Sequence, residues 1–359
     1  MTPSRPSIHT GHLLRRMEDS IERCQLSLRG TVVLTEAATG PYAATAVLAA
    51  MAGADMVFAV RGATRHSTAE QASEETANLA KAAGVGGRVR IVPAKCSDVV
   101  SATDLVTNTG HVRPIDAKTI SWLKPAAVIA LMYEAWELRS ADVDLQACRD
   151  AGIAVGGTEE TNPAIDVFSY LGTLALKLLL DAGIPVYSTH ILVLCDNPFA
   201  PYLKVGLTGA GAIVDIAANL DEVVGRELYD AILVSLTPCG RPVLGAEAAA
   251  AIARRWPDVL VAQFFGDIDR SAFLAAGVDL WPDHAPKAGH MGILLSDIGP
   301  EPIVRLQTGG LKAGEILVRA RRSGLTVADA VAALACSGYG HAVVTANERP
   351  LRGVPYDRR

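Results

Sequence analysis

Clusters of polar and ionisable side chains follow three short apolar segments of this 359-residue chain, at residues 104–107, 126–132 and 153–155. Each segment has the length and composition of a buried β-strand. The clusters are Thr107, Asn108, His111 and Arg113 after the first segment, Glu134, Trp136 and Glu137 after the second, and Thr158, Glu159, Glu160 and Asn162 after the third. Side chains of these types can bind anions and transfer protons. Any one of these residues taken alone is more typical of a solvated loop, whereas three polar strand ends in succession favour a functional site.

The stretches between these segments have helical patterns, so the sequence predicts a parallel sheet wound with helices. Ligands of such sheets bind in the crevice outside the carboxyl ends of the strands. We therefore expect one edge of the sheet to carry His111, Glu134 and Glu137 as catalytic acid–base groups. The residues expected to bind the substrate at that edge are Asn108, Arg113, Glu159 and Asn162.

Two arginines follow a further predicted strand, MVFAV, at residues 56–60. Arg61 and Arg65 precede a predicted helix that begins at Ala69. A helix N-terminus together with guanidinium groups favours an anion, either a carboxylate or a phosphate. A solvent-facing basic loop fits the same residues equally well. Arg61 and Arg65 are therefore further candidates for substrate binding.

The segment VDLQACRDAGIAVGGTEETNPAIDVFSYLGTLALKLLL resembles a passage of the D-2-hydroxyacid dehydrogenases. In that family the substrate domain ends there, and a long crossover helix leads into the nucleotide domain. The similarity covers residues 104–180 well and the rest of the chain loosely. It implies an NAD(P)-dependent oxidoreductase that acts on a small anionic carboxylate substrate.

The predicted fold class is α/β, with two Rossmann-like domains of doubly wound, mostly parallel sheet, a crossover helix and a cleft between the domains. A weak internal repeat of strand, turn, Pro-aromatic-Ala, helix and strand supports two similar halves. We expect a substrate domain at residues 11–165, the crossover helix at 166–186, a nucleotide-type domain at 187–312 and returning helices at 313–359. The apolar run from Asn162 to Gly183 is predicted to form one long helix with Asn162 as N-cap. Residues 280–312 show no regular pattern, and the tail after His341 is predicted to be loose.

The second half resembles the nucleotide domain of that family in outline. YDAILVSLTPCGRPVLGAEAAAAIARRWPDVLVAQF is similar to the elements that flank the nicotinamide, which implies NAD or NADP. The family's GxGxxG loop, whose glycines admit a pyrophosphate to backbone N–H groups, is replaced by CDNPFA, in which Asp196 adds negative charge. Asp215 is the candidate acceptor of the ribose hydroxyls. The residues assigned to cofactor binding are Asp196, Asn197, Pro198, Phe199, Asp215, Thr237 and Pro238.

The family's catalytic histidine lies in a Pro-His context, for which His284 and His290 are the candidates here. Asp283 or Glu301 would orient the imidazole. A lone histidine is more often structural, and two in one glycine-rich loop make a catalytic role equally plausible. The family's catalytic arginine has no counterpart after the fifth strand of the domain, which leaves Arg270 as its nearest substitute.

Two other classes of function fit the same scaffold. A transferase or lyase, for example one that uses S-adenosylmethionine, needs no GxGxxG loop. Its acid–base groups would come from carboxyls whose mutual repulsion raises their pKa values. These carboxyls are Glu36, Glu134, Glu137, Glu159 and Glu160. The third class is a small-molecule-binding relative without catalysis.

The composition of the chain indicates which classes of partner and which cellular compartment to expect. The net charge of −5 and the absence of a Lys/Arg cluster argue against nucleic acid. Neither a signal peptide nor a membrane span is predicted. Six scattered cysteines without CxxC spacing predict free thiols and no metal site. We expect a cytoplasmic homodimer that binds a small molecule.

Overall fold

The computed structural model describes residues 10–64, 67–223 and 228–343. The chain divides into two compact units. Unit 1 is formed by the chain up to Asp166 and from Pro300 onward, and unit 2 is the continuous segment Val167–Gly299. Each unit carries its own sheet, so the predicted α/β class with two Rossmann-like halves is confirmed.

The sheet of unit 1 has the strand order β12-β6-β5-β4-β1-β2-β3. Neighbouring strands are parallel except for β12, which runs antiparallel to β6. The strands are β1 (Val32–Glu36), β2 (Met56–Val60), β3 (Val89–Val92), β4 (Leu105–Thr107), β5 (Val128–Ala130), β6 (Ala154–Thr158) and β12 (Gly340–Ala342). The central strands are buried on both faces, as their continuous apolar sequences require. Of the tail predicted to be loose after His341, Ala342 lies in β12, and the tail beyond residue 343 lies outside the described residues.

Helices cover both faces of this sheet. They are α1 (Thr10–Cys24), α2 (Ala44–Met51), α3 (Ala69–Ala82), α4 (Ser97–Ala102), α5 (Ala117–Ser121), α6 (Leu145–Ala151), α11 (Glu301–Arg322) and α12 (Val327–Ser337). Local sequence sets their starts: α3 begins with a capping box between Thr68 and Gln71, and Asp116 and Asp144 cap α5 and α6.

Helix α11 begins twelve residues before the predicted helix at 313, so the irregular region predicted for 280–312 is shorter than expected. The glycines of α11 interrupt the helical pattern of the sequence. In the fold they allow the helix to pack closely against the sheet. A Cβ at Gly310 would lie 2.4 Å from Met132 Cε, and one at Gly314 would lie 2.4 Å from Leu105 Cδ1. Helix α11 therefore packs directly against β4, β5 and β6.

The predicted long helix from Asn162 to Gly183 is also wrong at its start, because α7 spans Leu171–Asp181. Asn162 instead closes a tight turn: its Oδ1 accepts the Ala164 N–H at 2.8 Å, and its carbonyl accepts the Asp166 N–H at 2.7 Å. Asp166 has a φ of 54°, which a helix cannot continue. The division between the units falls directly after it.

Unit 2 contains a parallel sheet of order β11-β10-β9-β7-β8. The strands are β7 (His190–Cys195), β8 (Ile213–Ala217), β9 (Ala231–Ser235), β10 (Leu260–Phe265) and β11 (Asp279–Trp281), and the further helices are α8 (Ala200–Gly209), α9 (Ala246–Arg255) and α10 (Arg270–Ala275). Trp256 and Phe273 are fully buried in the core between this sheet and its helices.

Candidate functional site

The strand order of unit 1 brings the carboxyl ends of β6, β5, β4 and β1 side by side. Glu36 is the last residue of β1, and Asn108 directly follows β4. Glu134 follows β5, and Glu160 follows β6. The candidates that the sequence placed after separate strands therefore lie along one edge of one sheet, which we call the carboxyl edge.

Asn108 is buried at this edge, with 2% of its surface exposed. Its Oδ1 accepts the Met132 N–H at 2.8 Å, which orients the amide. Its Nδ2 is buried and has no hydrogen-bond partner among the described residues. A buried amide group without an acceptor is costly, and such a group at the carboxyl end of a strand favours an acceptor atom of a ligand.

Three threonine hydroxyls next to Asn108 are hydrogen-bonded to one another. Thr107 Oγ1 lies 2.9 Å from Thr35 Oγ1 and 3.1 Å from Thr109 Oγ1, and all three residues are buried. These bonds join the ends of β1 and β4 and fix the backbone that carries Asn108. Thr35 and Thr109 were not among the predicted residues, although Thr35 is the penultimate residue of β1 and the same strand-end rule could have found it.

Glu36 and His111 form the next part of the edge. Glu36 is buried, and its Oε2 accepts the His111 N–H at 3.0 Å. The imidazole of His111 lies against Gly62, where a Cβ would come within 2.3 Å of Nδ1. Burial raises the pKa of Glu36, and the bonds from the His111 and Gly110 N–H groups offset only part of this effect. The predicted catalytic residue His111 thus lies beside a carboxyl that tends to keep its proton.

Glu134, Glu137 and Glu160 form a group of interacting carboxyls. Glu134 Oε1 accepts the Glu160 N–H at 2.7 Å, and both residues are buried. Burial raises the pKa of Glu134 to about 8 and that of the partly exposed Glu137 to about 7. It also raises the pKa of Glu160, with a further contribution from Glu137 and Glu134. Near neutral pH the group therefore holds protons that a substrate oxygen can accept.

Glu159 differs from these carboxyls because it has strong partners. It accepts hydrogen bonds from Thr161 and is paired with His341 of β12. Burial alone would raise its pKa, but the bonds from His341 and Thr161 outweigh burial and lower it. The bond to Glu159 in turn raises the pKa of His341. Glu159 is thus an anion that holds the C-terminal strand, and its predicted role in substrate binding stays a prediction.

Asn162 also contacts the C-terminal segment, since its Nδ2 donates to the Gly338 carbonyl at 2.7 Å. Its predicted role in substrate binding stays a prediction as well. His341 was not predicted from the sequence, because its contact with Glu159 joins residues 182 positions apart.

Arg113 belongs to an ion-pair group near this edge. Asp142 Oδ2 accepts the Tyr133 hydroxyl at 2.6 Å, and it lies 3.1 Å from Arg113 Nη1 and 3.2 Å from Arg139 Nη1. One carboxylate is thus shared by two guanidinium groups. A guanidinium group suits an anionic substrate group.

The other two arginine candidates for substrate binding are Arg61 and Arg65. Arg61 is 41% exposed in its side chain and lies 3.8 Å from Glu70, a distance at which the pair contributes little stability. Arg65 lies outside the described residues.

In unit 2, the turn between β7 and α8 takes the place of a dinucleotide-binding loop. Asp196 Oδ1 accepts the Thr237 N–H at 2.7 Å and its hydroxyl at 2.9 Å. Asn197 Nδ2 donates to the Ser235 carbonyl at 2.7 Å, and its Oδ1 accepts the Phe199 N–H at 3.1 Å. These side chains tie the turn to the end of β9. The residues present therefore do not fit the pyrophosphate of NAD or NADP at this turn.

Two more cofactor candidates lie elsewhere in unit 2. Asp215 is in the middle of β8, two residues before its end, and its Oδ2 accepts the Tyr229 hydroxyl at 2.9 Å. Pro238 follows Thr237 in the partly buried loop after β9. Their predicted roles in cofactor binding stay predictions.

The histidine candidates of unit 2 lie in the loop between β11 and α11. His284 is exposed, and His290 Nδ1 lies 3.0 Å from the Ala288 carbonyl. Glu301, one of the expected orienting acids, is engaged by Arg305 at 2.9 Å. Arg270 donates to Gln263 Oε1 at 3.0 Å and to the Pro282 carbonyl at 2.6 Å, so it anchors the loop. The roles of His284 and His290 stay predictions.

The described part of the chain contains no group of three or more His, Cys, Asp or Glu side chains arranged to hold a metal ion. Among the same residues, no helix is both long and apolar enough to cross a bilayer.

The chain is similar to several solved structures. A dipicolinate synthase chain from Bacillus subtilis matches with a TM-score of 0.51 and 11% identity, over 82% of this chain and 99% of that chain. A dipicolinate synthase chain from Bacillus halodurans reaches a TM-score of 0.49 at 12% identity, over 82% and 99%. An NAD-dependent formate dehydrogenase from Staphylococcus aureus reaches 0.46 at 13% identity, over 78% and 92%.

No family model and no curated protein sequence matches the chain. The match to the Bacillus subtilis protein shows the fold. It is the fold that the resemblance to D-2-hydroxyacid dehydrogenases predicted.

Proposed function

We propose that the protein is an oxidoreductase-like enzyme that acts on a small carboxylate substrate at the carboxyl edge of unit 1. The observation that carries this proposal is the buried Nδ2 of Asn108, which has no acceptor among the described residues. Its Oδ1 is held by the Met132 N–H, so the amide is oriented in advance for an oxygen atom of a ligand.

The neighbouring side chains suit proton transfer at such an oxygen. Interconversion of a carbonyl and a hydroxyl group requires a group that gives or takes a proton at the oxygen atom. Glu134 and Glu137 have pKa values of about 8 and about 7, which are close to the working pH of most enzymes. We assign proton transfer to these carboxyls and to His111, and recognition of the substrate carboxylate to Arg113.

The resemblance to D-2-hydroxyacid dehydrogenases implies NAD or NADP as the hydride carrier. The β7–α8 turn does not fit the pyrophosphate of either cofactor, so no hydride transfer is assigned at that turn, and the roles above belong to residues of unit 1 alone. The comparisons give no support to S-adenosylmethionine as the ligand of unit 2.

A second candidate function is a non-redox lyase on the same scaffold. The misfit of the β7–α8 turn favours it, because proton transfer by Glu134 and Glu137 needs no dinucleotide. Both functions place the substrate at the same edge.

We also propose that the protein is a cytoplasmic homodimer, as expected from the sequence. All six cysteines are free thiols in the structure, which is typical of a reducing compartment. Light scattering of the purified protein measures the oligomeric state directly.

Calorimetric titration of the protein with a panel of small 2-oxo and 2-hydroxy carboxylic acids tests the substrate class. We expect Arg113→Ala to weaken binding by about 2 to 5 kcal/mol, because it removes a charge partner of the carboxylate. Asp142 keeps Arg139 and Tyr133 as partners, so this variant should remain folded. Asn108→Asp, which keeps the acceptor for Met132 but loses the amide donor, should weaken binding by about 1 to 3 kcal/mol.

Arg90→Ala is the matched control, since Arg90 is exposed in β3 of the same sheet and away from the carboxyl edge. Its affinity should equal that of the wild type. Binding of none of the acids, or equal affinities in all variants, would refute the proposed function.

A further inference from the structure

The β7–α8 turn offers a phosphate few backbone donors. Pro198 and Pro201 have no N–H. The Phe199 N–H is bonded to Asn197 Oδ1 at 3.1 Å, and the Ala200 N–H points to the Asn197 carbonyl at 3.4 Å. In a phosphate-binding turn these positions supply the N–H groups that hold the anion. Here they are missing or already used.

A carboxylate is fixed in the same turn. Asp196 is held by two hydrogen bonds from Thr237, which lies in the loop after β9. Asn197 adds a third bond to that region through the Ser235 carbonyl. A pyrophosphate placed here would meet a like charge that cannot easily turn away, and like charges in close contact oppose binding strongly.

A large apolar side chain of the same turn is packed into the interior of unit 2. Phe199 is 3% exposed. Its ring packs edge-on against Phe168 with a centroid distance of 5.0 Å, and it lies 5.5 Å from the ring of Phe265. The position directly before α8 is therefore part of the apolar core of unit 2.

We infer that unit 2 binds no pyrophosphate at the β7–α8 turn, and that the bridge between Asp196 and Thr237 closes this turn to anionic ligands. A ligand that contacts the turn carries a neutral or cationic group at this place. The closed turn belongs to unit 2 and lies outside the chemistry proposed for unit 1. Because of this turn, unit 2 binds a different class of ligand from proteins that hold a dinucleotide at the equivalent turn.

Titration of the full chain with adenosine and with ADP tests the inference, because the two probes differ only in the pyrophosphate. We expect ADP to bind no more tightly than adenosine. Absence of measurable binding by either probe agrees with this expectation. Binding of ADP, NADH or NADPH at least roughly tenfold tighter than that of adenosine would overturn it.

The double variant Asp196→Asn/Pro198→Gly tests the assigned cause, since it removes the charge and restores one N–H. We expect it to bind ADP at least roughly tenfold more tightly than the wild type does. Asp279→Asn, a change at an exposed residue of β11, is the charge-matched control and should not alter ADP affinity. If the double variant is folded by circular dichroism and its ADP affinity is unchanged, the assignment to this turn is wrong.

These outcomes are independent of the test of the proposed function. The carboxylic acids carry no phosphate, and their binding depends on Arg113 and Asn108 in unit 1. If neither the carboxylic acids nor ADP bind, the proposed function is refuted and the closed β7–α8 turn stands. If both the acids and ADP bind tightly, the proposed function stands and the closed turn is refuted.

Discussion

At the scale of single residues, burial decides the charge of the carboxyl edge. The sequence led us to expect raised pKa values from repulsion between neighbouring carboxyls. In the structure, burial is the main cause for Glu134, Glu137 and Glu160, and repulsion adds to it at Glu134 and Glu160. Sequence cannot supply this ranking, since burial depends on residues from distant segments.

Glu134 provides a test through the pH dependence of stability. Its pKa rises from 4.5 to about 8 on folding, so the folded state keeps a proton that the unfolded chain loses. The resulting stability is fully present below about pH 4.5 and is lost as the pH rises through 8. We expect Glu134→Gln, which keeps an acceptor for the Glu160 N–H, to flatten this decline by up to about 1.4 kcal/mol per pH unit. Urea unfolding between pH 5 and roughly pH 8.5 measures it.

Glu18→Gln is the matched control for that experiment, because Glu18 is an exposed residue of α1 in the same unit. Its curve should run parallel to that of the wild type. If Glu134→Gln also runs parallel to the wild type, Glu134 does not hold a proton at neutral pH.

The residues of the candidate site that follow a strand could be predicted from the sequence, because ligands of parallel sheets bind at the carboxyl ends of the strands. Asn108, His111, Glu134 and Glu160 follow strands, and the parallel topology brings them together without further information. The partners Asp142 and His341 were missed, because they arrive from loops and from an added antiparallel strand. No periodic pattern marks such residues.

At the scale of elements, α11 shows why glycine obscures a helix in the sequence. Glycine disfavours a helix in isolation, so a run such as Gln307-Thr308-Gly309-Gly310 does not predict one. In the fold, the missing side chains let the helix approach the sheet closely, as at Gly310 beside Met132. Tertiary packing thus outweighs local propensity along this helix.

Gly314→Ala tests this explanation. The added Cβ would lie 2.4 Å from Leu105 Cδ1, so the buried Leu105 side chain, the helix or β4 must shift. We expect a loss of about 1 to 3 kcal/mol in the free energy of unfolding, although alanine favours a helix more than glycine does. Urea denaturation followed by circular dichroism measures this change.

Gly11→Ala is the control, since Gly11 lies in α1 of the same unit and its added Cβ would approach only the end of the Arg15 side chain, at 4.0 Å. We expect this variant to be stabilised by up to roughly 1 kcal/mol. Equal effects of the two substitutions would contradict the role of Gly314 in close packing.

At the scale of the whole molecule, the two units differ in how the chain builds them. Unit 2 is one continuous segment, whereas unit 1 is completed by residues after Pro300. The two α/β halves were predictable from the repeated alternation of strands and helices. The sequence predicts the return to unit 1 at residue 313, whereas α11 begins at Glu301, because Gly309 and Gly310 interrupt its helical pattern.

This arrangement predicts the effect of ending the chain at Gly299. The truncated chain keeps every element of unit 2 but lacks α11, which covers β4, β5 and β6. We expect unit 2 to remain folded, with Trp256 still buried, and unit 1 to lose its stable fold because one face of its sheet is left exposed. Hydrogen exchange followed by mass spectrometry should show protection in β7, β9 and β10 and rapid exchange in β1, β4 and β5. A chain that ends at residue 343 is the control and should protect both sets of strands. Protection of β4 and β5 in the shorter chain would mean that unit 1 folds without its returning helices, and α11 would then be an accessory cover.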